Sequence, residues 1–484
     1  MTFFAQDLWN GRGYSGGWVH FDEAVEVTSP STGAALAEVG IGSPEDMADA
    51  VGRADAAQPA WAAMSAEDRA TVMRRAAALV EQHADVLIGW LVAEAGSAQG
   101  KAAFETGLVT AELHQAAATA LMPYGQLLTS AQPRLSMARR RPVGVVGVIS
   151  PFNFPAILAA RSVFPALALG NAVVLKPDPR TAISGGLFLA AVLEEAGLPD
   201  GVFAVVPGGV EAAGVLVDHP AVPVISFTGS TSAGRAIGER AGRHLKRAHL
   251  ELGGNNAVIV MPDVDVAAAA SAGAWGSFLH QGQICMTTGR HVVHADVYDE
   301  YTTLLAQKAR ALVAADPATG APLGPIIDAG QRDRVHDLVT ATVGAGANLI
   351  AGGDYTDLFY QPTVLTDVRT DHPAFTEEIF GPVAPVLRFE DADEAADIVN
   401  ASEYGLSVSI LAGDAFAALE FGDQLRCGIL HINDQTVDDE AQAPFGGTGF
   451  SGNGARFGGH EANIEAFTDT QWVTVQSRIR PYPF

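Results

Sequence analysis

From Pro142 the sequence settles into a repeating order of apolar run, glycine or proline turn, and alanine-rich stretch. The apolar runs are 143–149, 172–175, 203–206 and 222–227. They are short and continuous rather than alternating, the pattern of strands buried on both faces. Helical stretches at 156–169, 181–196 and 233–244 separate most of them. This alternation implies an α/β fold with a parallel, doubly wound sheet and right-handed crossovers. Ligands of such sheets lie beyond the carboxyl ends of the strands.

After Leu252 a second α/β pattern begins, with helices near 267–278 and 297–315 and strands around 349–351 and 385–389. Upstream, the first fifty residues read as short strands and turns. Residues 48–94 read as helical, with Trp61, Val72 and Leu79 facing the core and the charged residues between them solvated. The helical pattern resumes over 102–121. Residues 126–141 change character, and the run Arg139-Arg140-Arg141 stands before a strand. The tail holds Trp472-Val473-Thr474-Val475, an edge-strand candidate for pairing with another subunit. No internal repeat or low-complexity segment is present.

A chain of 484 residues exceeds one simple core, so two or three domains are expected. Hydrophobic residues make up 48% and charged ones 17%, a globular composition. The formal charge of −26 argues against nucleic-acid or anionic-membrane binding, which reward clustered Lys and Arg. No run of about 18 apolar residues suggests a membrane span, and the N-terminus lacks a signal pattern. Two cysteines cannot build a disulfide framework, and a reactive thiol needs a reducing compartment, so a cytoplasmic setting is expected. The 13 histidines show no paired ligand spacing, so no metal is expected.

Five short stretches carry candidate chemistry. Gln281-Gly282-Gln283-Ile284-Cys285-Met286-Thr287-Thr288-Gly289-Arg290 sets one of the two cysteines among small and polar neighbours. Cys285 is either a small buried hydrophobe or a nucleophile, depending on whether its surroundings yield the thiolate. Asn153, in Ser150-Pro151-Phe152-Asn153-Phe154-Pro155, is either a turn residue or an amide donor to a developing oxyanion. Lys176 is a solvated loop charge or a ribose ligand. Phe227-Thr228-Gly229-Ser230-Thr231 offers helix N-terminal amides that suit a pyrophosphate. Glu251, flanked by leucines and followed by Gly253-Gly254, is a structural ion-pair partner or a general base whose pKa burial raises.

Together these stretches, from Pro142 to Gly454, resemble the aldehyde dehydrogenase superfamily. Further matching segments are Glu377-Glu378-Ile379-Phe380-Gly381-Pro382, His431-Ile432-Asn433-Asp434 and Pro444-Phe445-Gly446-Gly447. Lys-Pro-Asp-Pro-Arg-Thr, the close Ser451-Gly452-Asn453-Gly454 and Phe467-Thr468-Asp469-Thr470-Gln471-Trp472 look like its bacterial benzaldehyde and vanillin dehydrogenase branch.

The resemblance implies a coenzyme domain from 1–125 and 142–251 with a return segment near 431–462. It implies a catalytic domain over 252–430 and an oligomerisation arm from 126–141 and 463–484, hence a homodimer or homotetramer. Cys285 is the implied nucleophile, Glu251 the base that activates water, and Asn153 the oxyanion donor beside the Cys285 backbone N–H. Implied coenzyme contacts are Ser150, Pro151, Phe152, Lys176, Asp178, Gly229, Ser230, Gly234, Leu252, Glu378 and Phe380. Implied substrate contacts are Phe154, Ile284, Met286 and Phe445, and Asn433 is expected near the catalytic glutamate. Cys427 reads as structural.

The implied reaction oxidises a small aldehyde, of the aromatic kind in this branch, to its acid. Aliphatic aldehydes or semialdehydes are the alternative substrates. NAD is the expected coenzyme, with NADP accepted less efficiently, because Pro179 replaces a glutamate that excludes a 2′-phosphate in many members. CoA-acylating members generally lack the glutamate matched by Glu251, and glycolytic phosphorylating enzymes are shorter and pair the cysteine with histidine. A non-catalytic protein on the same fold would be expected to lose one of Cys285, Glu251 and Asn153.

Overall fold

Five strands with almost no exposed side chain form the parallel part of the first sheet: Val145–Ile149, Ala172–Lys176, Phe203–Val205, Val224–Thr228 and Arg247–Glu251. The computed structural model describes residues 3–123 and 125–484, so Met1, Thr2 and Tyr124 of the expected segments lie outside the described residues. Across the sheet the order is Arg247–Glu251, Val224–Thr228, Val145–Ile149, Ala172–Lys176, Phe203–Val205. The antiparallel pair Arg12–Ser15 and Trp18–His20 extends the far edge. The chain therefore reverses its direction of travel at Val145–Ile149, the switch point of a doubly wound sheet.

The helices that cover this sheet are rich in alanine, which lets them pack closely. All fourteen residues of Pro155–Ala168 are buried. The expected helical stretch 48–94 is three helices, Pro44–Ala63, Ala66–Gln82 and Ala84–Ala95. The first break has a local cause. Met64 is extended, and the Ser65 hydroxyl accepts the Asp68 N–H at 3.1 Å, capping a new helix. Trp61 and Val72 are buried as expected, while Leu79 is half-buried. Arg69, expected in solvent, is buried, its guanidinium donating to the carbonyls of Ala168 and Met64 at 3.0 and 2.5 Å. The expected helix 181–196 begins instead as a π-turn at Ile183–Leu187 and becomes α-helical over Phe188–Glu195. Buried Glu94 shapes that turn by accepting the Ser184 N–H at 2.6 Å and the Ile183 N–H at 3.3 Å.

A second seven-stranded sheet runs Asn348–Ala351, Thr363–Thr366, Val383–Phe389, Thr288–His294, Asn256–Val260, Ser407–Leu411, Ile429–Ile432. All its pairings are parallel except the first. The tail strand Thr468–Val475 pairs along its whole length with Leu135–Pro142 of its own chain, and Gly125–Leu127 completes this small antiparallel sheet. The pairing expected of Trp472–Val475 is thus made first within the subunit, and the sheet's two outer edges stay open. The basic run is held there too: Arg140 pairs with Glu465 at 2.6 Å, and Arg139 donates to Gln471 at 2.9 Å.

Among the described residues no single helix is long and apolar enough to cross a membrane, and no cluster of His, Cys, Asp and Glu could hold a metal ion.

Candidate active site

A cleft opens at the switch point of the first sheet, where loops leaving neighbouring strands diverge. Residues 150–153 follow Val145–Ile149, Gly229 and Ser230 follow Val224–Thr228, and both loops line the cleft. Ser230 caps the thirteen-residue helix Thr231–Arg243, so unpaired backbone N–H groups sit at the rim. Lys176 lies on the wall, and its ammonium donates only to its own neighbour's carbonyl, Pro177 O, at 3.2 Å. The Ser150 hydroxyl is buried on the same wall without a hydrogen-bond partner.

Across the cleft, Glu378 accepts the Gly254 N–H at 2.8 Å, and burial pushes its carboxyl up to about 7. A Cβ on Gly253 would fall 2.1 Å from Glu378 Oε2, so only glycine allows this approach. Phe380 meets Phe152 edge to face at 6.1 Å. Helix N–H groups, an unpartnered hydroxyl, a lysine with free protons and a carboxylate match what a dinucleotide's diphosphate and ribose hydroxyls require.

Of the eleven expected coenzyme contacts, Gly234 does not line this cleft. It packs its helix onto a strand end, where a Cβ would lie 2.2 Å from Leu252 Cδ2. Asp178 lines the cleft but is taken up by Arg180, which donates to both its oxygens at 2.9 and 2.7 Å. Arg180 also pairs with Asp328 of the second α/β unit and stacks 4.4 Å from the Phe152 ring.

Cys285 lies at the floor, lining both this cleft and a second, apolar cavity. Its loop is bent by three consecutive left-handed residues, His280, Gln281 and Gly282, at φ 48, 56 and 67°. Gly282 is required there, since a Cβ would fall 2.0 Å from Gly381 O. The loop is tied down on both sides. Gln281 donates to Gly96 O and Pro325 O at 3.1 and 2.9 Å, and Asn256 donates to Cys285 O and Thr287 O, each at 2.8 Å. Asn153, buried, donates one amide proton to Gln283 O at 2.8 Å, which fixes its plane and leaves the other proton over.

Burial pushes the Cys285 thiol up to about 12, with Glu378 and Glu251 adding to the rise and Arg161 opposing it. Glu251 ends its strand fully buried, and its carboxylate oxygens have no well-formed hydrogen bond, the Gly447 backbone N–H offering the one weak interaction. Burial raises it well above the carboxylate range, against Arg161 and Arg456. It lines neither hollow directly but stands behind them. Asn433 serves elsewhere: its side-chain oxygen accepts the Ala412 N–H at 2.8 Å, in the second sheet.

The second cavity brings together Phe154, Ile284, Met286 and Phe445, all four expected substrate contacts, with Phe104, Leu108 and Val437. The sequence reading missed its charged members, Arg161 and Asp439. It also missed Lys101 and Glu105. Lys101 donates to the Asn153 carbonyl at 2.8 Å and pairs with Glu105 at 2.6 Å, both side chains fully buried. Glu105 in turn accepts the Ala156 and Ile157 N–H groups, anchoring the helix that starts after Asn153. One signal for Arg161 was legible: it is the only charge in the apolar helix Pro155–Ala168, and a buried charge needs partners.

Comparison with known proteins bears on this arrangement. A model of the aldehyde dehydrogenase family matches residues 18–473. A vanillin dehydrogenase of Amycolatopsis sp. is 57% identical over the whole of both chains. A benzaldehyde dehydrogenase [NAD(+)] of Pseudomonas putida is 47% identical over 99% of each. A crystal structure of an E. coli NADP dependent enzyme superposes with a TM-score of 0.94 at 32% identity, covering 98% of this chain and 100% of that one.

Proposed function

This chain belongs to the aldehyde dehydrogenase family and is an NAD(P)-dependent aldehyde dehydrogenase, and we propose that its substrates are aromatic aldehydes of the benzaldehyde and vanillin type. The observation that carries the proposal is the cavity beside Cys285, walled by Phe154, Phe445, Phe104, Ile284 and Met286. Flat apolar rings bury well against such a wall, and a short aliphatic aldehyde has less apolar surface to bury there.

In this reading Cys285 adds to the aldehyde carbon as its thiolate, forming a thiohemiacetal. The oxyanion takes the free Asn153 amide proton and the Cys285 N–H. The bound coenzyme supplies one thing, acceptance of the hydride, which leaves a thioester on Cys285. Glu251, whose oxygens have no well-formed hydrogen bond, takes a proton from water as it attacks the thioester, and the carboxylic acid leaves.

NAD is the preferred coenzyme and NADP is accepted less efficiently. Pro179 supplies no carboxylate against a 2′-phosphate, but Arg180, next to it in sequence, is held by Asp178 and Asp328. The small sheet's two outer strands are open, with Trp472 exposed on one and Leu127 on the other, which supports assembly of identical subunits through this sheet. Both cysteines are free, which supports work in a reducing compartment such as the cytoplasm.

The test is coenzyme reduction followed by absorbance, with and without CoA. The panel sets benzaldehyde and vanillin against short aliphatic aldehydes and semialdehydes. A kcat/KM for any aliphatic member above both aromatics sinks the aromatic assignment.

A further inference from the structure

We propose that the Arg161–Asp439 ion pair in the wall of the aldehyde cavity is a charge filter: it admits uncharged aromatic aldehydes and rejects those that carry a carboxylate. The inference rests on reading that cavity as the aldehyde site. Arg161 and Asp439 are its only charged lining residues. They pair directly, with side chains 3% and 13% exposed, so the pair is shielded from solvent screening. The guanidinium lies 4.3 Å from the centre of the Phe445 ring, which fixes it flat against the same wall.

Left alone, an arginine in such a place would be a carboxylate receptor, because its planar fork takes two oxygens at once. Here one arm of the fork is already taken by Asp439. Behind it stands Glu112, fully buried, with Oε2 unpartnered, and Glu251 faces the same guanidinium. This guanidinium thus answers Asp439 and Glu112 and shares Glu251 with Arg456, beside a thiol that must itself become an anion. An incoming carboxylate would lose its water and find no free positive charge. A neutral ring loses little and gains the aromatic wall. The repulsive element is what separates the two substrate classes.

The experiment compares 3- and 4-carboxybenzaldehyde with 3- and 4-nitrobenzaldehyde, which share their outline without the charge. In the unmodified enzyme, kcat/KM for the carboxylates should be about 100-fold below that for the nitro compounds, since an unanswered like charge costs several kcal/mol. Asp439→Asn frees the fork, and the carboxylate-to-nitro ratio should rise about tenfold, the worth of one charge-assisted contact. Adding Arg161→Gln to Asp439→Asn should remove that gain. Equal rates for both classes in the unmodified enzyme overturn the filter without any variant. So does an unchanged ratio in Asp439→Asn, or a gain that survives the double substitution. Inert nitrobenzaldehydes alongside rapidly oxidised aliphatic aldehydes would sink the aromatic assignment, and the filter with it.

Discussion

The cleft and the cavity meet at Cys285 but are built differently. The cleft is walled largely by short stretches that each follow a strand: 150–153, 176–180, 229–230 and 252–253. Its position follows from strand order, and its chemistry is mostly that of backbone N–H groups and small residues. The cavity is walled by single side chains from distant places: Phe104 and Leu108 from one helix, Leu158 and Arg161 from the next, then Val437, Asp439 and Phe445. Topology thus locates the proposed dinucleotide site, whereas side-chain choice shapes the proposed aldehyde cavity. Substitutions in one hollow should therefore be separable from the other, except at the residues that join them.

The most severe break is Cys285→Ala. It should lower turnover by about 10⁴-fold or more, since it removes the covalent route itself. Coenzyme affinity by calorimetry should stay within a few-fold of the unmodified value, because the cleft keeps its walls. Turnover retained in the purified variant would remove Cys285 from the mechanism.

Next in size is Glu251→Gln. Stopped-flow mixing should show about one equivalent of reduced coenzyme per site, then a steady state slowed by about 10²–10⁴-fold. Absence of a burst would move Glu251 to an earlier step, the ionisation of Cys285. A pH series sharpens this. A base acts only when deprotonated, and burial holds Glu251 well above its ordinary value. The rate of acid release should therefore climb with pH through and beyond neutrality, where an ordinary glutamate would give a plateau. A profile already flat above pH 5 contradicts the assignment.

Lys101→Met tests the support of Asn153, which lines both hollows. It leaves Glu105 buried without its partner, at a cost of about 3–5 kcal/mol in stability by denaturant unfolding. It also releases the Asn153 carbonyl, so kcat should fall by more than KM shifts, with Lys101→Arg restoring part of it. A variant that loses stability but keeps kcat would make the pair purely structural.

The smallest effect concerns the cleft alone. A missing carboxylate at Pro179 is worth about 1 kcal/mol, or several-fold in affinity. On one aldehyde, kcat/KM with NAD should exceed that with NADP by a few-fold to tens-fold. A value for NADP equal to or above that for NAD reverses the preference.

Much of the cleft was legible in the sequence because its parts are contiguous. A buried valine run, then Ser150 to Asn153, or a strand, then Gly229-Ser230, reads as strand end and loop without knowledge of the rest. The coenzyme list erred at Gly234, where a glycine in a phosphate-binding loop and a glycine that lets a helix approach Leu252 look alike. The four apolar cavity residues came from resemblance, but Arg161, Asp439, Lys101 and Glu105 did not surface. Each depends on a partner far along the chain: Lys101 on Asn153, Arg161 on Asp439, and no local period records such pairs. The break before Ser65 was written locally, in a Ser-x-x-Asp cap, and a helical stretch read through it.

The left-handed loop at His280, Gln281 and Gly282 carries a consequence for anyone randomising this enzyme. Two of its residues have side chains in a region that costs an ordinary residue about 1 kcal/mol apiece. That conformation holds because Gln281 is clamped to Gly96 and Pro325 and nothing bulkier than hydrogen fits at 282. In a deep mutational library scored on growth with an aldehyde, these positions should be nearly as barren as Cys285. Glycine at 280 is the substitution best placed to escape, since it alone accepts that backbone without strain. Libraries meant to widen the substrate range are better spent on the far walls of the cavity.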